Sequence, residues 1–150
     1  MRIGIVIPAH NEAVTIAKCL ASVQAAIEQL PPTIETCLLV VLDSCTDDTQ
    51  SIVKAIGVDY LCCNYHCVGQ VRDIGIRYAI ENGATWLACT DADSVVPMDW
   101  LVQQIEHIIY QPTDMICGVV DIDSWAHLTP QTREDYIAHY QDRMGHRHIH

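Results

Sequence analysis

Short apolar runs alternate along the chain with stretches of helical periodicity. Ile3–Ile7 is a continuous apolar run closed by Pro8, the mark of a strand buried on both faces. Between about Glu12 and Gln29 the spacing changes. Ile16, Leu20, Val23, Ile27 and Leu30 recur at intervals of four, three, four and three, which is one stripe of a helix. Asn11 is placed to cap that helix and Pro31-Pro32 to stop it. Cys37–Leu42 reads as a second strand. Thr46 can cap a second helix, whose first turn carries Asp47 and Asp48, signs suited to the helix dipole, and Gly57 ends it. Val58–Cys63 predicts a third strand, followed by a helix from about Gly69 to Glu81 that Asn82-Gly83 closes. Thr85–Thr90 predicts a fourth strand. Pro97 opens a helix with a stripe at Leu101, Ile105, Ile108 and Ile109. Met115–Val120 reads as a fifth strand, and a last helix follows Pro130, from about Gln131 to Arg143.

Strand–helix alternation of this kind predicts an α/β fold: a mostly parallel sheet with helices on both faces, in one domain. No repeat, linker or low-complexity tract interrupts it. Half of the residues are hydrophobic and 18% are charged, which excludes a disordered chain. Eight Lys and Arg against nineteen Asp and Glu leave a net charge of −11, and no cluster of cations exists. Nucleic acid and anionic membrane are therefore excluded as partners. No apolar run approaches the roughly 18 residues of a membrane span, and the amino terminus lacks the apolar core and cleavage site of a signal peptide, so the expected location is cytoplasmic. The eight cysteines sit mostly inside apolar runs, which predicts buried reduced thiols rather than a disulfide framework.

In a sheet of this class ligands bind at the carboxyl ends of the strands. Four consecutive strands deliver polar residues there: Pro8-Ala9-His10-Asn11-Glu12, then Asp43-Ser44-Cys45-Thr46-Asp47-Asp48, then His66 to Asp73, then Asp91-Ala92-Asp93. Capping and turn formation account for any one of these loops. All four on one edge point to a site. Asp91-x-Asp93 is the sharpest element. Two carboxylates two residues apart after a buried strand repel each other, and a hard divalent cation, Mn2+ or Mg2+, resolves that while keeping positions open for phosphate oxygens.

Together, Ile5 to Glu12, Val41 to Thr49, Gly69-Gln70-Val71-Arg72-Asp73-Ile74-Gly75 and Thr90 to Asp93 resemble, in order and spacing, the blocks of family 2 glycosyltransferases of the GT-A fold. The resemblance implies a UDP- or GDP-sugar donor and a sugar, lipid or protein acceptor. It implies that Pro8, Ala9, His10, Asn11 and Glu12 line the nucleoside pocket and that Asp43 lies near the base. Arg72 would lie near the nucleotide or its pyrophosphate. Asp91, Ala92 and Asp93 would form the motif that holds ribose and metal-bound diphosphate, with Asp91 and Asp93 as metal ligands. This chain departs from the pattern where Leu42 precedes Asp43, where Ser44-Cys45 stand for Gly-Ser, and where Asp73 stands for a frequent Asn. The resemblance also implies that residues 1–150 form the nucleotide-sugar-binding domain and that an acceptor-binding half lies beyond.

Other readings use some of the same residues. A nucleotide-sugar-binding module without catalysis would share every block. Cys62, Cys63, His66 and Cys67 are four potential zinc ligands, but six residues at a strand end hardly wrap a tetrahedron. Cys67 and Arg72 suggest a cysteine phosphatase loop, yet four residues lie between them where five are needed to ring a phosphate. No catalytic base stands out. Asp121 and Asp123 after the fifth strand are base candidates that read more readily as turn residues. His146, His148 and His150 form an alternating set that reads as a frayed terminus or a metal-binding tail. The apolar run at 115–120 and the helix after it predict a homodimer burying residues between about Cys117 and Tyr140.

Overall fold

The computed structural model describes residues 1–111, 113–122, 124–126 and 129–144. The chain divides into two units, Met1–Tyr110 and Gln111–His150.

The first unit is built on four parallel strands in the order β3-β2-β1-β4. These are β1 (Arg2–Ala9), β2 (Glu35–Asp43), β3 (Asp59–Cys63) and β4 (Trp86–Cys89). Strand β1 is central: Ile3 to Ala9 align with Thr36 to Leu42 on one side, and Ile3 to Val6 with Trp86 to Cys89 on the other. That position explains why its apolar run is continuous. Its odd residues Ile3, Ile5 and Ile7 face one core, with Val40 and Leu42 of β2. Val6 faces the other, with Leu39 and Val41.

Helices α1 (Ile16–Glu28), α2 (Thr49–Ile56) and α4 (Trp100–Tyr110) cover the first face through residues such as Leu20, Val53 and Leu101. Helix α3 (Val68–Glu81) covers the second through Val71 and Ala79. It packs closely there because Gly75 lets it. A Cβ at Gly75 would stand 2.9 Å from Val41 Cγ2 and collide with Val6. After β3 the chain crosses by α3 to the far side of β1. The strand order therefore reverses between β1 and β4, the switch point where a crevice opens at the carboxyl ends of such sheets.

The helix starts differ from those expected. Helix α1 begins at Ile16, not near Glu12: residues 13–15 form a turn, and the Glu12 and Ala13 amides donate to Thr49 Oγ1 (2.8 Å) and Asp47 Oδ2 (3.0 Å). Helix α2 begins at Thr49, and Thr46 caps nothing; the Thr46 amide donates to Asn11 Oδ1 at 2.7 Å. Helix α4 begins at Trp100 after a turn closed by its amide on the Pro97 carbonyl, and Ile109 is exposed rather than part of the buried stripe. Gly57 ends α2 in the left-handed conformation, as its position predicts.

The second unit has no strand among its described residues, which corrects the expected fifth strand at Met115–Val120. Gly118 interrupts the run, and Val119 and Val120 are 62% and 63% exposed. The Val120 amide donates to the Tyr140 hydroxyl (3.0 Å) instead of a ladder partner. Helix α5 (Pro130–Met144) carries Tyr136 and Tyr140, which stack on each other, and Trp125 meets Tyr136 edge-on with the Arg133 guanidinium 6.0 Å from the Trp125 ring. Asp123, His146, His148 and His150 lie outside the described residues.

Candidate functional site

A cleft of about 570 Å3 opens at the carboxyl ends of the strands in the first unit. Pro8, Ala9, His10, Glu12, Asp43, Arg72, Asp91, Ala92 and Asp93 all line it, so nine of the ten positions marked by the sequence meet in one place. Asn11 does not line the cleft. Its Oδ1 accepts the Thr46 and Asp47 amides at 2.7 and 3.3 Å, and so it ties the first loop to the second.

That tie is reciprocal. Asp47 Oδ2 reaches back to the Ala13 amide, while its Oδ1 accepts the Thr49 amide at 3.0 Å and hydroxyl at 2.5 Å. Buried Thr49 then accepts the Glu12 amide. Hydrogen bonds from Thr49 outweigh desolvation and hold the Asp47 carboxyl below its ordinary range. The two loops thus brace each other through backbone groups that would otherwise face each other unpaired.

Asp43 ends β2 and is 5% exposed. Burial alone would raise its pKa. Donors from the Tyr65 amide (2.8 Å), the Ser44 hydroxyl (3.2 Å) and the His66 amide outweigh this, with the charge of His66 adding, and hold it below the ordinary carboxylate value. It is therefore an anion at neutral pH. The His10 Nδ1–H donates to the Asp43 carbonyl at 2.6 Å and Nε2 accepts from Asn11 Nδ2, which defines the ring's tautomer. Three non-glycine residues take the left-handed conformation just past strand ends: Asn11 (φ 54°), Ser44 (φ 53°) and His66 (φ 50°). Backbone strain of this kind gathers at binding sites, where surrounding hydrogen bonds over-determine it.

At the other end of the cleft, Arg72 on the second turn of α3 forms an ion pair from Nη2 to Asp91 Oδ1. Asp93 makes no hydrogen bond or ion pair among the described residues. Among the described residues, Arg72 is the one Lys or Arg lining the cleft, against Glu12, Asp43, Asp91 and Asp93. A diphosphate entering this acidic surface needs a further positive charge. Asp91 and Asp93 are hard oxygen donors with open space before them, so the donor set fits Mn2+ or Mg2+, which keep most of their coordination for water and phosphate. No group of three or more metal-ligating side chains occurs among the described residues.

Sequence reasoning missed the support of the acidic loop. Cys19 of α1 donates from Sγ to the Asp91 carbonyl (3.3 Å), and one turn on, Ser22 Oγ accepts the Val96 amide (3.1 Å). Burial pushes the Cys19 thiol up to about 11, with Asp93, Asp91 and Glu12 adding to the shift, so it stays a neutral donor. In the sequence Cys19 is only one more apolar position on the α1 stripe. His66, Cys67, Val68 and Val71 also line the cleft.

The burial expected of the cysteines is corrected. All eight cysteines are free, but only Cys19 is buried, while Cys62, Cys67, Cys89 and Cys117 are exposed. Cys62 and Cys89 lie on the outer strands β3 and β4, which have no neighbouring strand on one side among the described residues. Cys62 and Cys63 alternate across β3, with Cys63 Sγ 3.7 Å from the Leu42 carbonyl, so adjacent thiols do not converge on one zinc. Helix α3 starts at Val68, so the residues between Cys67 and Arg72 form a helical turn and not a ring around phosphate.

Residues 4–148 match the family model described as glycosyl transferase family 2. The chain belongs to that family. No curated protein matches it in sequence. Among solved structures, S. aureus TarS 1–349 in complex with UDP-GlcNAc is 22% identical, with a TM-score of 0.65 over 83% of this chain and 37% of TarS. A longer S. aureus TarS structure is 23% identical, TM-score 0.64, over 83% and 24%. Glucosyl-3-phosphoglycerate synthase from Mycobacterium tuberculosis in complex with Mg2+ and UDP is 20% identical, TM-score 0.49, over 71% and 38%. The chain thus spans less than two fifths of the length of these structures. The likeness to TarS establishes the GT-A fold. No helix among the described residues is long and apolar enough to cross a membrane.

Proposed function

We propose that this chain binds the nucleotide of a UDP- or GDP-sugar and belongs to an enzyme that transfers the sugar to an acceptor hydroxyl on a sugar, lipid or protein. The observation that carries this reading is the convergence of an anionic Asp43 and the Arg72–Asp91–Asp93 group at opposite ends of one switch-point cleft. A carboxylate held against protonation suits the N–H groups of a base. Pro8, Ala9, His10 and Glu12 line the cleft between the two ends. Arg72 sits where a diphosphate would lie and donates to its oxygens. Asp91 and Asp93 would hold Mn2+ or Mg2+, which neutralises charge growing on the leaving diphosphate. TarS shares the fold and was crystallised with UDP-GlcNAc, which makes a uridine donor the first to test.

Calorimetric titration with UDP and GDP, in Mn2+ and in excess EDTA, tests the reading. Nucleotide affinity should fall roughly tenfold or more in EDTA, about 1.4 kcal/mol. Equal affinity in both conditions removes the metal from the proposal. Absence of binding by either nucleotide removes the function. Release of labelled sugar with candidate acceptors then reports transfer.

A further inference from the structure

The two charged groups proposed to hold the donor diphosphate and its cation neutralise each other in the free chain. Arg72 Nη2 is bound to Asp91 Oδ1, so Arg72 is withheld from an incoming phosphate and Asp91 is partly withheld from a cation. Neither backbone is free to relieve this. Asp91 is held from below by Cys19 on its carbonyl, and the far end of its loop by Ser22 on the Val96 amide. Helix α3, which carries Arg72, is set against the sheet at Gly75, one turn further on. The guanidinium is the part that can move: the Arg72 side chain is 38% exposed and the Asp91 side chain 55%. An exposed pair of this kind is weak, so a diphosphate with two charges and several acceptor oxygens outcompetes one carboxylate.

We propose that the Arg72–Asp91 pair is a latch. The donor diphosphate draws the guanidinium off Asp91, and this frees Asp91 for the cation, so that each ligand strengthens the other's binding. The coupling is reciprocal by linkage: whatever factor the nucleotide adds to cation affinity, the cation adds to nucleotide affinity. The inference rests on the nucleotide-binding function proposed above. It differs from that reading in assigning Asp91 an inhibitory role while no cation is present.

A double-mutant cycle in EDTA isolates the latch from metal binding. Affinity for UDP, and for GDP in parallel, would be measured by protein-observed NMR for the wild type, Asp91→Asn, Arg72→Gln and the double variant. Both side chains are partly exposed, and circular dichroism checks each fold. The latch predicts that Asp91→Asn tightens nucleotide about 2–5-fold in the wild-type background, the range of an exposed ion pair, and leaves it unchanged in the Arg72→Gln background. A similar gain in both backgrounds means that Asp91 acts only by repelling the diphosphate, and that overturns the latch. No gain in either background overturns it too. If neither nucleotide binds any form, with or without Mn2+, the proposed function fails and the latch with it. Those results are distinguishable, because the first two require measurable binding.

Discussion

The two ends of the cleft are held by opposite means. At the β2 end, Asp43 is buried and anchored by backbone amides, and the loops around it are tied by Asn11, Asp47 and Thr49 in a closed set of hydrogen bonds. At the β4 end, the carboxylates of Asp91 and Asp93 are exposed, one is paired to a movable guanidinium and one makes no bond among the described residues. Recognition of a rigid, planar base gains from a surface fixed before binding. A flexible diphosphate with a cation needs groups that can exchange partners. The first end should therefore govern stability and the second should govern binding alone.

The largest effect expected is at Asp43. Asp43→Ala leaves the Tyr65 amide without its acceptor in a partly buried place and should cost about 1–3 kcal/mol, read by chemical denaturation. A loss under about 0.5 kcal/mol would show that this end is not anchored as described. Next comes the brace. Thr49→Val removes the acceptor of the Glu12 amide and a donor to Asp47, and should cost about 1–2 kcal/mol. The loss should appear together with faster amide exchange at Glu12.

Acid sharpens the contrast. The Asp43 carboxyl is held below its ordinary value of 3.8, so it contributes stability that is present above about pH 3.8 and is lost as pH falls through its folded pKa. The stability gap between the wild type and Asp43→Asn should therefore narrow as pH drops below about 3.8. A gap that widened there would reverse the sign of the argument. The smallest effect on stability is expected at the other end. Asp93→Asn should change folding by less than about 0.5 kcal/mol, yet remove the gain in nucleotide affinity that Mn2+ confers. If it destabilised the fold as much as Asp43→Ala, the comparison would collapse.

Periodicity alone was enough to place β1, because a central parallel strand is buried on both faces and needs an unbroken apolar run. The same logic located β2, β3, β4 and α3 and sent nine site positions to one edge, since parallel strands all end on the same side. It misled at Met115–Val120, where an apolar run resembled a strand. A ladder needs a partner, and no single segment encodes one. The helix starts at Ile16 and Thr49 were also beyond it. The loops before them are held by Asn11 and Asp47, which accept from amides more than thirty positions away.

The residue types at the strand ends, and therefore the chemistry open to the cleft, were determined by the sequence itself. Which of those groups are spent on structure and which remain for a ligand was decided by the tertiary structure. Asn11 was diverted into the brace, Cys19 was placed beneath Asp91, and Arg72 was set against Asp91 rather than into solvent. Hydrogen-bond partners are chosen by distance in space, and only the folded chain sets that distance.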